Sequence, residues 1–452
     1  MTALQQLARF VAEGEIAPDE NTVGIARDAL IDTLGCVLAG TSQPVAKQTR
    51  ATLSGWGRGL APVLGTDVCL PAPWAAMANA VAGHALDFDD WEIPGNTHVS
   101  GVLFPALLAV AAGAPCAGRA ILEGYIAGFE VIARVGKAVN YEHYANGWHA
   151  TATLGALGAA AAVARLRGLD RVQAANAMSI ALSQAVGYIC QFGSSAKPLQ
   201  AGFAAKAGVV ATALAENGLA GQPDVLEHPT GFNKLMAHGD TERFFADFQP
   251  PGDRLALAEY GLVIKPYPTC AYSHRLIDCA LALRPQLTVD PAQIVGITAS
   301  LPDFHAAIMP FQQPTTRAEA LFSLPFCVAL ALVDGQVTLA NLETAPWTDA
   351  TIIDLIAKVT LRIHPPKNPA LNYDPDDPDW LEIDMANGTR YRTEVAFPLG
   401  TPQNRMTSEQ ILNKFLSNVA FGVDYMAPKH PAISALKQWE QAPDINAVIA
   451  LL

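Results

Sequence analysis

From the N-terminus to about Gly261, the chain consists of long segments rich in alanine, leucine and valine, which glycine or proline interrupts. Apolar residues recur every three or four positions and β-branched runs are few, which is typical of α-helices. Asp19 or Asn21 is expected to cap one such helix. Residues 154–163 and 201–219 are so rich in alanine and glycine that helix backbones can approach closely there. The pattern therefore predicts a helical bundle.

The pattern changes after Pro266, where apolar and polar residues begin to alternate as they do in strands. The segments expected to form strands are residues 294–301, 359–363, 381–386 and 389–395. Asn387-Gly388 between the last two favours a type I′ hairpin turn. The tail returns to a helical pattern, with Ser408 as the expected N-cap.

Together these patterns predict a mainly α fold with two domains. Residues 1–264 and 401–452 would form a large all-α domain that both chain ends complete, and residues 265–400 a smaller α+β domain inserted in it. With 452 residues, 51% hydrophobic and only 16% charged, the chain can bury cores of this size.

The charge balance bears on possible partners. The formal net charge is −13, and a field of this sign repels phosphates, so neither a nucleic acid nor an anionic membrane surface is an expected partner. Residues 99–118 carry no charge, but prolines and glycines interrupt them, so a buried core segment is expected rather than a membrane span. An anionic substrate would have to meet a locally basic pocket.

Cysteine usage and the N-terminus bear on the compartment. Seven scattered cysteines without a C-x-x-C pair do not suit a disulfide framework, which favours a reducing environment. The first fifteen residues lack a basic stretch followed by an apolar run, so no signal peptide is expected. A cytoplasmic location fits both observations.

The densest polar cluster of the apolar half lies in the segment GHALDFDDWEIPGNTHVS. It contains His84, Asp87, Asp89, Asp90 and His98. If a helix continues to Asp87, then His84 and Asp87 share one face at a spacing of three residues. The cluster could hold a divalent ion, although no strong ligand spacing is present. It could also be a structural polar network, or an acid–base site in which an imidazole moves a proton.

Three further segments carry candidate residues. His149 and Thr151 open the first alanine-rich helix, where backbone N–H groups could seat a carboxylate, although such residues also serve as caps or core. Lys197 precedes the second and could hold an anion, or could simply be solvated. Lys265 and His274 flank a stiff proline-rich stretch at the expected domain junction, where sites are common. Nucleotide-binding, Walker and nucleophile-elbow motifs are not found, which argues against a nucleotide cofactor.

These four segments occur in this order over almost the whole chain and resemble the MmgE/PrpD family. The strings that carry the resemblance are GHALDFDD with THVS, GWHATATLGALGAAAA, SSAKPLQAGFAAKAG and KPYPTCAYSH. The family includes 2-methylcitrate dehydratase, cis-aconitate decarboxylase and iminodisuccinate epimerase. The resemblance implies a large all-α domain with a smaller α+β lid, a homodimer, and catalysis without a metal or an organic cofactor.

The resemblance also implies where the site lies. Asp87, His98, His149, Lys197 and Lys265 would line a pocket between bundle and lid, with His274 close by. The lysines would hold substrate carboxylates and stabilise an enediolate-like charge. His98 and His149 would be the candidate base and acid, and Asp87 would orient an imidazole.

His84 and Thr151 are further expected substrate contacts. The decarboxylase branch of the family carries a histidine in place of Cys270 and a tyrosine in place of Phe326, and its aspartate lies one residue nearer the equivalent of His98. These departures weaken a decarboxylase assignment.

The leading hypothesis is therefore a dehydratase or hydratase that acts on a small, 2-methylcitrate-like polycarboxylate by abstraction of an α-proton. The alternatives are an epimerase of an iminodisuccinate-like dicarboxylate and a cis-aconitate-type decarboxylase. Two further hypotheses belong to other functional classes: a carboxylate-binding protein without catalysis, and a metal-dependent hydrolase.

Overall fold

The computed structural model describes residues 1–287, 293–369, 371–423 and 431–452. Contacts divide the chain into two compact units. The first comprises Met1–Ile264 together with Thr407–Leu452, and the second comprises Lys265–Met406.

The first unit is built from helices, with one short two-stranded sheet. Its helices before the second unit are α1 Ala3–Glu13, α2 Glu20–Gly40, α3 Pro44–Ser54, α4 Ala72–His84, α5 Ser100–Ala111, α6 Gly118–Val139, α7 Glu142–Ala145, α8 Ala150–Arg167, α9 Arg171–Leu182, α10 Ala196–Glu216, α11 Phe232–Met236, α12 Thr241–Asp247 and α13 Ala256–Tyr260. The strands β1 Ala61–Pro62 and β2 Cys69–Leu70 pair antiparallel.

The second unit packs helices against a four-stranded sheet. Its helices are α14 His274–Leu283, α15 Asp303–Ile308, α16 Arg317–Ala320, α17 Leu324–Asp334, α18 Leu339–Glu343 and α19 Ala350–Lys358. Its strands are β3 Ile294–Pro302, β4 Val359–His364, β5 Asp379–Met385 and β6 Arg390–Val395. The strand order is β4-β3-β5-β6, in which β3 and β4 are parallel and the other pairs antiparallel.

The chain then returns to the first unit in α20 Ser408–Gly422, α21 Pro431–Leu436 and α22 Ile445–Ile449. The long helix α20 packs on α2. Its buried side chains include Ile411 and Phe415, which lie four residues apart on one face.

Several sequence-based expectations are confirmed. Asp19 caps α2, since its carboxylate accepts a hydrogen bond from the backbone N–H of Thr22 at 2.8 Å. The predicted strands correspond to β3, β4, β5 and β6. The uncharged segment 99–118 contains the buried helix α5. Within the described ranges, no helix is long and apolar enough to cross a membrane.

Two local predictions are wrong. The N-cap of α20 is Thr407 rather than Ser408, because Thr407 and Gln410 form a capping box in which each side chain bonds the other's backbone N–H. The hairpin between β5 and β6 is not type I′, which needs positive φ at both central residues. Gly388 has φ 84°, but the φ of Asn387 is not positive.

The alanine- and glycine-rich helices α8 and α10 approach each other closely, as expected. A Cβ placed on Gly208 of α10 would lie 2.4 Å from the Cβ of Ala159 and 2.6 Å from that residue's backbone carbon. Gly155 of α8 has more room, because a Cβ there would meet its nearest neighbour, Val102, at 3.4 Å. Glycine is thus required by close packing at one position and tolerated at the other.

We predict that Gly208→Ala lowers the free energy of unfolding by about 1–3 kcal/mol, the usual cost of overpacking. Gly155→Ala is the matched control, and its better helix propensity should leave stability unchanged or raise it by up to about 1 kcal/mol. Chemical denaturation of both variants measures the difference. Equal stability of the two variants would contradict the packing argument.

Candidate active site

The loop that follows α4 carries the acidic residues of the site. Helix α4 ends at His84, and Asp87 lies beyond it with φ 52°, in the left-handed region that aspartate tolerates better than most residues. The helix therefore does not reach Asp87, and the expectation that His84 and Asp87 share a helical face is wrong. The turn instead brings Asp89 to His84, whose Nδ1 lies 2.9 Å from both carboxylate oxygens.

Asp89 bridges two imidazoles. Its Oδ2 also lies 3.3 Å from Nδ1 of His98, and the carboxylate is buried. Burial by itself would raise the pKa of Asp89, but the positive charge and hydrogen bonds of His84 and His98 outweigh it and hold that pKa well below its ordinary value. Asp89 thus stays ionised at neutral pH. A carboxylate that accepts from Nδ1 of a histidine orients the ring and stabilises its protonated form.

Lys197 and Asp87 form a second charged pair in the same unit. Lys197 lies in the first turn of α10, with Nζ 2.5 Å from Oδ1 of Asp87 and 4.9 Å from the centre of the Phe192 ring. The same Asp87 oxygen is 3.8 Å from Nε2 of His98. An ammonium, a carboxylate and an imidazole therefore meet within one cluster, so a cationic group is present in the first unit despite the acidic balance of the whole chain.

His149 is the N-cap residue of α8 and is buried. Its Nδ1 lies 2.5 Å from Oε1 of Gln200, its ring stacks on His84 at a centroid distance of 5.9 Å, and Phe192 meets it edge-on at 5.0 Å. Burial, followed by the neighbouring charges of His84, Lys197 and His98, lowers the pKa of His149 well below its ordinary value. His149 is therefore neutral at pH 7 and retains a lone pair.

Thr151, in the first turn of α8, holds the backbone beside His98. Its hydroxyl oxygen accepts a hydrogen bond from the backbone N–H of His98 at 3.1 Å, and the side chain is buried. Helix α8, which follows His149, thus also positions His98. A direct contact of Thr151 or His84 with substrate stays a prediction.

Lys265 and His274 belong to the second unit, of which Lys265 is the first residue. His274 begins α14, where its Nε2 lies 3.3 Å from the carbonyl oxygen of Thr269. The six other predicted site residues belong to the first unit, which brings them together: His84, Asp87, His98, His149, Thr151 and Lys197. The binding roles of Lys265 and His274 stay predictions.

Four of these side chains are of types that could hold a divalent ion. His84, Asp87, Asp89 and His98 each offer one ligand atom, all within 4.8 Å of one another. The ammonium of Lys197 bonds the same Asp87 carboxylate, however, and both oxygens of Asp89 already lie 2.9 Å from Nδ1 of His84. A cation placed there would face an ammonium and compete for occupied lone pairs, so the donor set fits proton transfer better than metal binding.

A buried ion pair between Lys414 and Asp32 contacts the acidic loop that follows α4. Nζ of Lys414, on α20, lies 2.6 Å from Oδ1 of Asp32 on α2 and donates to the carbonyl oxygen of Phe88 at 2.7 Å. Phe88 stands between Asp87 and Asp89 in the sequence, so α20 fixes the backbone between the two acidic residues.

The next carboxyl of the loop, Asp90, accepts from the backbone N–H of Ser100 at 3.2 Å. Burial, followed by the charge of Asp32, raises its pKa well above the ordinary value. The environment therefore favours the neutral form of Asp90 beside an ionised Asp89.

Three important residues were not assigned roles from the sequence. Gln200 lies three residues after Lys197, so helical periodicity alone places both on one face of α10. Lys414 stands among the apolar positions of α20, and a charge within a buried stripe is a detectable signal. Asp89 was predicted to belong to the polar cluster, but the role of orienting an imidazole was assigned to Asp87.

Comparison with known proteins covers most of the chain. Residues 5–244 match the MmgE/PrpD N-terminal domain, and residues 267–438 match the MmgE/PrpD C-terminal domain. The cis-aconitate decarboxylase of Mus musculus is 29% identical over 428 residues, which are 88% of this chain and 83% of that protein. The Homo sapiens cis-aconitate decarboxylase is 26% identical over 451 residues, 94% of this chain and 88% of its own length.

A 2-methylcitrate dehydratase also matches most of the chain. The Cupriavidus necator protein of that name is 27% identical over 436 residues, which are 87% of this chain and 85% of that protein. Identity of this order separates neither reaction from the other.

We predict that Lys414→Met lowers the free energy of unfolding by about 3–5 kcal/mol at pH 8, because it leaves Asp32 buried without its partner. Burial already raises the pKa of Asp32 to about 6 despite Lys414. Because the pKa of Asp32 is higher in the folded than in the unfolded protein, its neutral form stabilises the fold. This stabilisation is fully present below about pH 4 and is lost as the pH rises through the pKa of the folded state. Without Lys414 that pKa rises further, so the defect should shrink at pH 5.

Chemical denaturation at pH 5 and pH 8 measures this difference. The double variant Asp32→Leu/Lys414→Met should recover most of the loss, since both charges are removed. Lys437→Met changes an exposed lysine and is the control. A pH-independent defect, or one that the second substitution does not relieve, would contradict the pairing.

Proposed function

Since the chain belongs to the MmgE/PrpD family, as its sequence motifs indicated, we propose that it is a dehydratase or hydratase of a small, 2-methylcitrate-like polycarboxylate. The observation that carries the proposal is the cluster of the first unit, in which Asp89 bridges two imidazoles beside the Lys197–Asp87 pair and a neutral His149. Its side chains provide a base, an acid and an electrostatic stabiliser.

The first step is abstraction of a proton beside a substrate carboxylate. The neutral His149 accepts this proton as the C–H bond breaks, and the electron pair remains on the substrate as an enediolate. Lys197 stabilises the new negative charge, and this is worth most in a buried site where water does not screen it.

The second step is loss of the hydroxyl on the adjacent carbon. The C–O bond breaks with its electron pair on oxygen, and protonated His98 supplies the proton that completes a water molecule. The ionised Asp89 favours the charged form of His98 before this transfer. In the hydratase direction, the same groups exchange roles.

A second candidate is decarboxylation, favoured by the similarity to cis-aconitate decarboxylases. There, carbon dioxide would leave from the substrate and an imidazole would protonate the carbon. Cys270 and Phe326, where the sequence departs from the decarboxylase pattern, are both buried in the second unit. A thiol and a phenyl ring cannot supply the polar groups of that pattern, so dehydration remains the leading proposal.

The deciding experiment incubates the purified protein in deuterated water with 2-methylcitrate, citrate, cis-aconitate and iminodisuccinate. Alkene formation from a hydroxy acid supports the dehydratase. Stoichiometric release of carbon dioxide from cis-aconitate would replace it with the decarboxylase. Deuterium in recovered substrate without alkene would indicate an epimerase. Binding without any of these changes would leave a carboxylate-binding protein, and activity lost with a chelator would indicate a metal enzyme.

We predict that His98→Gln and His149→Gln each lower kcat by about 10²–10⁴-fold, the usual contribution of a general acid or base. Lys197→Met should lower kcat by about 10²–10³-fold, as loss of one stabilising group does. The controls are Lys206→Met on the same helix α10, whose lysine packs on Phe203, and His228→Gln at an exposed histidine. Steady-state kinetics on folded variants tests this, and full activity in either histidine variant would contradict the mechanism.

A further inference from the structure

The amide of Gln200 has a defined orientation in the buried site. Its Nε2 donates to the carbonyl oxygen of Tyr188 at 3.2 Å, and its Oε1 faces Nδ1 of His149 at 2.5 Å. A flipped amide would point Oε1 at the Tyr188 carbonyl, and two acceptors would then face each other. Tyr188 therefore determines which amide atom faces His149.

This orientation determines the tautomer of His149. An amide oxygen can only accept a hydrogen bond, so Nδ1 of His149 must carry the proton that lies between them. In a neutral imidazole, the other nitrogen then holds the lone pair. Nε2 of His149 is thus the basic atom.

One short segment holds both residues in place. The carbonyl oxygen of Gly187 accepts from the backbone N–H of His149 at 3.0 Å, and the next residue is Tyr188, which holds the Gln200 amide. Gly187 has no room for a side chain, because a Cβ there would lie 3.0 Å from both Cδ and Oε1 of Gln200 and 2.4 Å from the Cβ of Ala152. The backbone of residues 187–188 thus positions the base and the amide that orients it.

We propose that Gln200 is a positioning residue that holds His149 as its Nδ1–H tautomer, so that Nε2 presents the lone pair which removes the substrate proton. The inference rests on the proposed function for the role of His149, but the tautomer itself can be measured without any substrate. Gln200 acts through His149 and need not touch the substrate.

The direct test is nitrogen NMR of the full-length protein labelled with ¹⁵N-histidine, at pH 7.5 and without substrate. The His149 signals are identified by their loss in His149→Gln. The expected result is a neutral ring with its proton on Nδ1. A proton on Nε2 would overturn the proposal. An Nδ1–H ring in a protein that turns over none of the tested acids would sustain the positioning role and contradict the proposed function instead.

Kinetics of three variants provides the second readout. Gln200→Leu removes the hydrogen-bond acceptor of His149 Nδ1. The value of kcat should then fall about 10–100-fold, because the tautomer of the base is no longer fixed. KM should change less than threefold, because the groups that bind substrate are unaltered. Gln200→Glu loses the donor to Tyr188 but keeps an acceptor oxygen towards Nδ1, so it should retain the Nδ1–H tautomer and a higher kcat than Gln200→Leu. The control is Gln184→Leu, at a half-buried glutamine.

Gln200→Glu also makes a prediction about pH. A carboxylate against Nδ1 favours the protonated ring, so the acid limb of kcat/KM should move up by about 1–3 pH units. A purely structural glutamine would leave that limb in place, and an unmoved limb would overturn the proposal. If Gln200→Leu does not fold, Gly187→Ala displaces the amide without altering it and should lower kcat in the same direction. Unchanged kcat in a folded Gln200→Leu or Gly187→Ala would likewise overturn it.

Discussion

The buried Asp89 carboxylate is the group on which the site depends, since a lone ionised carboxylate in such a core would be expensive. The loop beyond α4 removes that cost by placing an imidazole on each side of it. The small side chains of the surrounding helices make this possible, because backbones that approach closely hold polar groups at helix ends in fixed positions. His149 at the start of α8 and Lys197 at the start of α10 are both positioned in this way.

The two imidazoles proposed to transfer protons differ in their neighbours, which act on their charge in opposite directions. His98 lies beside an ionised carboxylate, which favours its protonated form, whereas His149 contacts a neutral amide, and burial followed by the charges of His84, Lys197 and His98 lowers its pKa. In the proposed mechanism, one histidine thus donates a proton and another accepts one at the same pH. This division needs no difference in side-chain chemistry, because the neighbours, Asp89 and Gln200, create it.

Sequence reasoning succeeded where a pattern has one structural solution. Helical periodicity, the Asp19 cap and the alternating strands are local signals, and the structure confirms them. It failed where two local solutions compete: Thr407 and Ser408 can both cap α20, and Asp87 could have continued α4. The contacts of Lys414 could not be predicted from the sequence for a different reason. They join residues more than 300 positions apart, and no local pattern encodes which carbonyl a buried lysine will meet.

The two units carry different kinds of evidence about the reaction. The groups proposed to move the proton and to stabilise the anion lie in the first unit, and they would serve dehydration, decarboxylation or epimerisation alike. Cys270 and Phe326, the positions at which the family resemblance implies a departure from the decarboxylase pattern, lie in the second. Enzymes that share an initial proton transfer differ in which bond breaks afterwards, and this depends on which substrate group is held in line with the developing charge. Since the proton-transfer groups would be shared by all three reactions, we expect the groups that select which bond breaks to belong to the second unit.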